Sequence, residues 1–178
     1  MFRLLIPYKD PMSGEEIVFE IFDGQFKHIP IDMIMQSCTV VLNSANQMLI
    51  VHNQNSGNVW QLPGGGREEG ESVKQCAVRE ILEEANVIVD PKNLKHLYYQ
   101  YVSIKQYDEL TDKTWYEKQS AQVRFIARAT TINEFKEDPD GDIDKIMWIN
   151  VEDLGKYLFW GETVNLVIEL VNKHLESI

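Results

Sequence analysis

Glu80, Glu83 and Glu84 stand at i, i+3 and i+4 within the run GGREEGESVKQCAVREILEEANV, Gly65 to Val87. On a helix this spacing puts three carboxylates on one face within a turn. Two carboxylates about 4 Å apart repel by about 1 kcal/mol in water and about 4 kcal/mol at an effective dielectric near ~20. A hard divalent cation such as Mg²⁺ or Mn²⁺ relieves that repulsion, because it prefers carboxylate oxygens. Just upstream, Gly64-Gly65-Gly66 reads as a glycine-rich turn where backbone can approach a ligand closely. The two features together point to a site for a cation and a phosphate. The plainer reading is a helix face whose glutamates are simply solvated.

The surrounding residues decide against the plainer reading. Gly65, Glu71, Arg79, Glu80, Ile81, Glu83, Glu84 and Val87 fit the pattern G-x5-E-x7-R-E-U-x-E-E-x-x-U, where U is a bulky apolar residue. This stretch resembles the Nudix box, the signature of hydrolases acting on nucleoside diphosphates linked to another moiety. The lead-in Trp60-Gln61-Leu62-Pro63-Gly64 resembles that family as well. One position departs from the pattern: Asn86 stands where the family has glycine. That position lies just past the helix, where φ is often positive and Asn is the next most tolerant residue.

The elements that must hold these side chains are legible nearby. Ser72-Val73-Lys74-Gln75 is a capping-box pattern, so a helix is expected to start at Ser72. Ala77, Val78, Ile81, Leu82 and Ala85 fall on one broad face suited to packing on a sheet. Arg79 lies on the flank beside Glu83, either as a weak surface ion pair or, as the resemblance implies, orienting a box carboxylate.

Further out, residues 2–7 and 16–22 read as short strands split by Lys9-Asp10-Pro11-Met12-Ser13-Gly14. Residues 1–36 are taken as an N-terminal extension, a hairpin that packs on the domain or on a partner subunit, so a homodimer is one arrangement in view. Cys38 to Leu42 and Met48 to Val51 read as strands joined by the turn Asn43-Ser44-Ala45-Asn46. Further strands are expected at 96–105, 119–129 and 145–149, with a polar turn from Asp108 to Lys113. A short helix near 151–158 and an amphipathic helix near 163–175 close the chain. Val164, Val167, Leu170, Val171 and Leu175 give the latter its core stripe. The expected class is α/β: one domain over 1–178, with the core at 37–178. The resemblance implies an α/β/α sandwich around a mixed sheet.

Composition narrows the function classes. The chain has 178 residues, 44% of them hydrophobic and 25% charged, ordinary values for a soluble globular domain. Its net charge of −11 argues against long nucleic acid, whose binding rests on Lys and Arg contacts to phosphate. A small phosphorylated substrate remains compatible, because a bound cation supplies positive charge locally. Cys38 and Cys76 have no metal-type spacing, and neither do His28, His52, His96 and His174. The opening run MFRLLIPYKD is too short for a signal peptide, and no apolar stretch approaches membrane-spanning length. A cytoplasmic protein is expected.

The resemblance implies metal-dependent hydrolysis of a diphosphate linkage. Glu80, Glu83 and Glu84 are then the metal ligands, with the Gly65 carbonyl as a further one. Glu83 or Asp142 is the general base; Asp142 lies in the acidic run Glu137 to Asp144, six residues before Trp148, where many Nudix enzymes place a glutamate, and the shorter Asp departs from that pattern. Trp60, Gly64, Arg67 and Glu68 are the candidate substrate contacts. Of the aromatic residues Trp60, Tyr98, Tyr99, Tyr101, Tyr107, Trp115 and Tyr116, at most one or two are expected to contact substrate, where a ring can stack on a base, the rest being core or sheet surface. The competing reading is a Nudix-fold module that senses a nucleotide without cleaving it. Such modules lose box residues, whereas Arg79 and all three glutamates are present here. A Nudix-fold isomerase of prenyl diphosphates lacks support, since no Cys and Glu pair stands out.

Overall fold

The apolar segments between turn residues become strands of one mixed sheet in the computed structural model, which describes residues 3–9, 15–55, 57–108, 110–136 and 138–177. In chain order the strands are β1 (Arg3–Lys9), β2 (Glu16–Phe22), β3 (Ile34–Leu42), β4 (Met48–Asn53), β5 (Val59–Gln61) and β6 (Gly64–Gly66). Helix α1 (Val73–Ala85) follows, then β7 (Val87–Val89), β8 (Lys95–Asp108), β9 (Lys113–Ile132), β10 (Ile143–Ile149) and helix α2 (Glu162–Glu176). Strand order is β1-β2-β8-β9-β3-β4-β10, with β5 on β4, β6 on β3 and β7 on β9. Strands β3 and β9 run parallel, whereas β1–β2, β2–β8, β8–β9 and β4–β10 are antiparallel.

The expected α/β/α layering follows from the period-2 alternation of the central strands. Val41, Leu49, Val51, Val123 and Phe125 point to one face and pack with Val73, Ala77, Ile81 and Ala85 of α1. Val40, Leu42, Met48, Ile50 and Ile126 point to the other and pack with Val164, Val167 and Val171 of α2. Burying each of those three valines contributes about 1.5–3 kcal/mol, which fixes α2 to the sheet. Leu170 and Leu175 complete the stripe only partly buried.

Several expectations change. Gly64–Gly66 is not a free turn but strand β6, paired with Gln36 to Cys38 of β3. Leu82, placed on the core face of α1, is 46% exposed. Cys76 and Val73 are buried in its stead. Strand β9 begins at Lys113, so the β8–β9 hairpin is longer than expected. The segment near 151–158 is a 3-10 helix over Val151–Lys156. The turn at 10–14 and Glu137 lie outside the described residues. No described helix is long and apolar enough to cross a membrane.

Both ends of α1 are built as the sequence indicates. Ser72 and Gln75 form a reciprocal capping box, and Asn86 caps the other end in the left-handed region at φ 52°. The Asn86 side chain also donates to the Glu134 carbonyl at 2.8 Å, tying the helix end to the chain beyond β9. Asn86→Val should therefore destabilise by about 1–3 kcal/mol, because a β-branched residue tolerates this backbone poorly. Asn86→Gly should stay within about 1 kcal/mol, since relief at φ offsets one lost exposed hydrogen bond. Equal melting midpoints for Val and wild type would refute this account of the cap.

Candidate active site

Register between β3 and β6 builds the floor of the site. Cys38, Ser37 and Gln36 face Gly64, Gly65 and Gly66, and the first two glycines run against α1 at Glu84 and Glu80. A Cβ on Gly65 would meet the Glu80 carboxylate at 2.6 Å, so only glycine lets that carboxylate lie against the strand. The Gly64 N–H donates to Glu84 Oε2 at 2.7 Å. The backbone at Gly64 and Gly65 thus positions two of the three glutamates directly.

Glu80, Glu83 and Glu84 line one cavity of about 460 Å³ together with Gly64, Gly65, Gly66, Asp138, Asp140 and Asp142. Glu80 and Glu84 are 9% and 7% exposed, whereas the Glu83 side chain is 38% exposed. Burial holds the Glu80 carboxyl above its ordinary pKa, partly countered by Arg79. Burial pushes Glu84 up to about 8; the Gly64 N–H opposes this, and Glu80, Asp138 and Asp142 reinforce it by like charge.

Arg79 spans the box. Its Nε and Nη2 donate to the two Glu71 oxygens at 3.0 and 3.1 Å, Nη1 to Glu83 Oε2 at 2.9 Å, and Nη2 also to the Gly66 carbonyl at 2.8 Å. Nη1 lies 2.9 Å from Glu80 Oε1. The bidentate contact to Glu71 raises the guanidinium's pKa and lowers that of Glu71. Glu71 is thus the residue that anchors Arg79, a role the spacing alone did not assign. Cys76 is buried beside this cluster and donates weakly to the Gly66 carbonyl at 3.6 Å. Burial pushes its thiol up to about 12, which suits a packing residue rather than a nucleophile.

The other candidates take different places. Asp142 lines the cavity, and its Oδ1 accepts from Asn55 Nδ2 at 2.8 Å. Asp138 was not singled out from the sequence. It is 7% exposed, and its Oδ2 accepts from the Asp142 N–H at 3.1 Å, so it shapes the loop that presents Asp142. Asp144 pairs with His52 Nδ1 at 2.5 Å, away from the cavity lining. Arg67 spends its guanidinium on the carbonyls of Ile34, Glu71 and Ile31, at 3.0, 2.7 and 2.8 Å. Glu68 is largely exposed, 3.9 Å from Arg79 Nε. Trp60 packs on His52 and Tyr157, outside the cavity lining. Two residues that sequence reasoning passed over, Arg124 and Trp160, do line it.

The donor set fits a hard divalent cation: desolvated carboxylates crowd one cavity, and like charge with burial raises the cost of leaving them ionised without a counter-charge. Among the described residues no group of three or more acidic, histidine or cysteine side chains stands close enough together to hold a metal ion as placed.

Comparison with known proteins gives the family and the fold. The NUDIX domain family model matches residues 35–167. Nudix hydrolase 5 of Arabidopsis thaliana is 26% identical over 136 residues, covering 74% of this chain but 41% of that protein's length. The RNA pyrophosphohydrolase of Wolbachia pipientis subsp. Culex pipiens (strain wPip) is 28% identical over 125 residues, covering 65% of this chain and 73% of that one. The structure of the Bacillus subtilis pyrophosphohydrolase BsRppH shares the fold at a TM-score of 0.64 and 15% identity, over 95% of this chain and 97% of that one. With the family model spanning most of the chain and the box residues assembled around one acidic cavity, the protein belongs to the NUDIX family.

Proposed function

We propose that the chain is a divalent-metal-dependent pyrophosphohydrolase acting on a nucleoside diphosphate derivative, working as a single Nudix domain in the cytoplasm. The observation that carries this reading is the convergence of Glu80, Glu83, Glu84 and Asp142 on one cavity floored by Gly64 and Gly65. Glu80, Glu83 and Glu84 would hold Mg²⁺ or Mn²⁺, with the Gly65 carbonyl as a further donor. When bound, the ion supplies Lewis acidity at the phosphate and lowers the pKa of the attacking water. Arg79, fixed by Glu71, orients Glu80 and Glu83. A carboxylate of Glu83 or Asp142 accepts the water's proton.

The name of the Wolbachia relative raises RNA as a second substrate class. A net charge of −11 disfavours extended contact with a polynucleotide and favours a small substrate. The test is a panel with Mg²⁺ and Mn²⁺, read by phosphate release: an oxidised dNTP, ADP-ribose, a dinucleoside polyphosphate, a nucleotide sugar and an RNA with a 5′-triphosphate. Turnover of at least one small compound, lost with chelator, is expected. Tight nucleotide binding without turnover of any compound would favour the sensor reading.

Asp142 is tested on the best substrate. Asp142→Asn should lower turnover at least about tenfold, the low side of what a general base supplies. Asp144→Asn, outside the cavity lining, reports general loss of negative charge. Equal, small effects from both would remove Asp142 from the mechanism and leave Glu83 as the base.

A further inference from the structure

A second cavity, of about 570 Å³, opens beside the acidic one, and Arg124 and Trp160 line both. Its volume suits a small-molecule site. Tyr8 and Phe19 of the N-terminal hairpin form one wall, and Phe159 and Trp160 another. Tyr8 and Phe19 precede the family-matched residues 35–167, so this wall lies outside the matched region. Phe159 is 86% exposed at the cavity, an aromatic ring with little of its surface covered by protein.

Arg124 sits where the two cavities meet. It is 6% exposed, and its Nε and Nη1 find no hydrogen-bond partner among the described residues. Nη2 donates to Gln122 Oε1 at 2.7 Å, an oxygen that also accepts from Gln100 Nε2 at 2.8 Å. The guanidinium is therefore oriented by the Gln122 amide and lies against the buried Tyr98 hydroxyl, with no carboxylate paired to it among the described residues. A buried, unpaired cation costs several kcal/mol, and its planar fork matches phosphate oxygens. The cavity beyond it offers ring faces, on which a nucleobase stacks.

We propose that this second cavity binds the base of the substrate between the N-terminal hairpin and the 159–160 segment, while Arg124 holds the phosphate next to the nucleoside. The inference rests on the hydrolase reading for the direction in which the substrate lies: diphosphate over the carboxylates, base under the hairpin. It makes the hairpin a determinant of substrate choice.

Binding measurements test this without turnover. The full chain, with Mg²⁺, is titrated calorimetrically with the α,β-methylene analogues of ADP, GDP, CDP and UDP, and with methylenediphosphonate, which has no base. At least one analogue should bind about tenfold or more tighter than methylenediphosphonate, the scale of one base–aromatic stack. Tyr8→Ala, Phe19→Ala and Trp160→Ala should each erase most of that difference, and the two hairpin variants should leave methylenediphosphonate binding within about twofold. Arg124→Met should weaken both kinds of ligand while leaving the melting midpoint of the free protein unchanged or higher, since it removes an unpaired buried charge. Tyr8 is 44% exposed on the outer strand, so Tyr8→Ala keeps the test open if Phe19→Ala fails to fold. Analogues that bind no better than methylenediphosphonate, or a difference that survives in folded Tyr8→Ala and Trp160→Ala, would overturn the base site. A lowered midpoint in Arg124→Met with ligand binding intact would make Arg124 structural. Base-dependent binding without turnover on the substrate panel would sink the hydrolase reading and leave this one standing.

Discussion

Glu84→Gln is expected to lower turnover at least about a hundredfold, because outer-shell partners of metal ligands already cost about 10–100-fold and a ligand should cost no less. The substitution keeps size and the hydrogen bond from the Gly64 N–H, whose acceptor becomes an amide oxygen. The fold should therefore persist, and the loss should appear in kcat and in the metal concentration for half-maximal rate. Stability should also change with pH in a defined direction. Burial raises the Glu84 carboxyl from its ordinary 4.5 to about 8, so the folded chain holds a proton that the unfolded chain releases between those values. The folded state binds more protons there, and stability falls as pH rises through that window. Burial lowers His96 from 6.5 to about 4, which makes stability rise with pH below about 6.5, so the Glu84 effect is read above it: chelator-treated wild type should melt lower at pH 8 than at about pH 7, and Glu84→Gln should lose that part of the slope. Ligation needs the ionised carboxylate, so metal affinity should rise with pH up to about 8 in wild type. A Glu84→Gln protein with wild-type turnover and the same pH slope would remove Glu84 from the site.

Much of this arrangement is local and was readable. The capping box at Ser72, the left-handed cap at Asn86 and the i, i+3, i+4 carboxylates depend on residues within one turn of each other. The central strands declared themselves by apolar runs with branched side chains. What was not readable depends on register between distant strands. Arg124 reaches the site because β9 lies parallel to β3 with Arg124 opposite Cys38, which itself faces Gly64. Nothing near residue 124 in the chain encodes that pairing. Trp160 is brought there by the segment before α2, and Asp138 by a loop whose acidic residues look alike in sequence. The partners of Arg67 also come from pairings that the local sequence does not encode. An arginine in a glycine-rich phosphate loop invites a substrate role, yet three backbone carbonyls occupy its guanidinium. The short strands β5 and β7, three residues each, carry too little alternation to register as strands.

The three consecutive glycines provide the sharpest separation of fold from site. A Cβ on Gly64 would lie 2.3 Å from the Ser37 carbonyl oxygen and 2.4 Å from Cys38 Cα, at a φ of +151°. Both obstacles are backbone of β3, held by the pairing of Cys38 with Gly64 and Ser37 with Gly65. No side-chain rotation relieves them, so Gly64→Ala must push β6 away from β3. Overpacking costs about 1–3 kcal/mol and the unfavourable φ about 1–3 kcal/mol more. With about 2–4 °C of melting midpoint per kcal/mol for a chain of this size, the midpoint should fall by roughly 10 °C. Displacing β6 also withdraws the Gly64 N–H from Glu84, so activity should be lost in whatever protein remains folded. Gly65→Ala meets a different obstacle, the Glu80 carboxylate at 2.6 Å, which is the end of a flexible side chain. That variant should melt near wild type but turn over poorly, because Glu80 has to leave the strand. Gly66→Ala meets nothing within 4 Å and should change neither property much. The expected order is therefore loss of both properties at 64, of activity alone at 65, and of neither at 66. Three variants with the same melting midpoint would show that β6 does not hold the register described, and the placement of Glu80 and Glu84 against it would fall with that register.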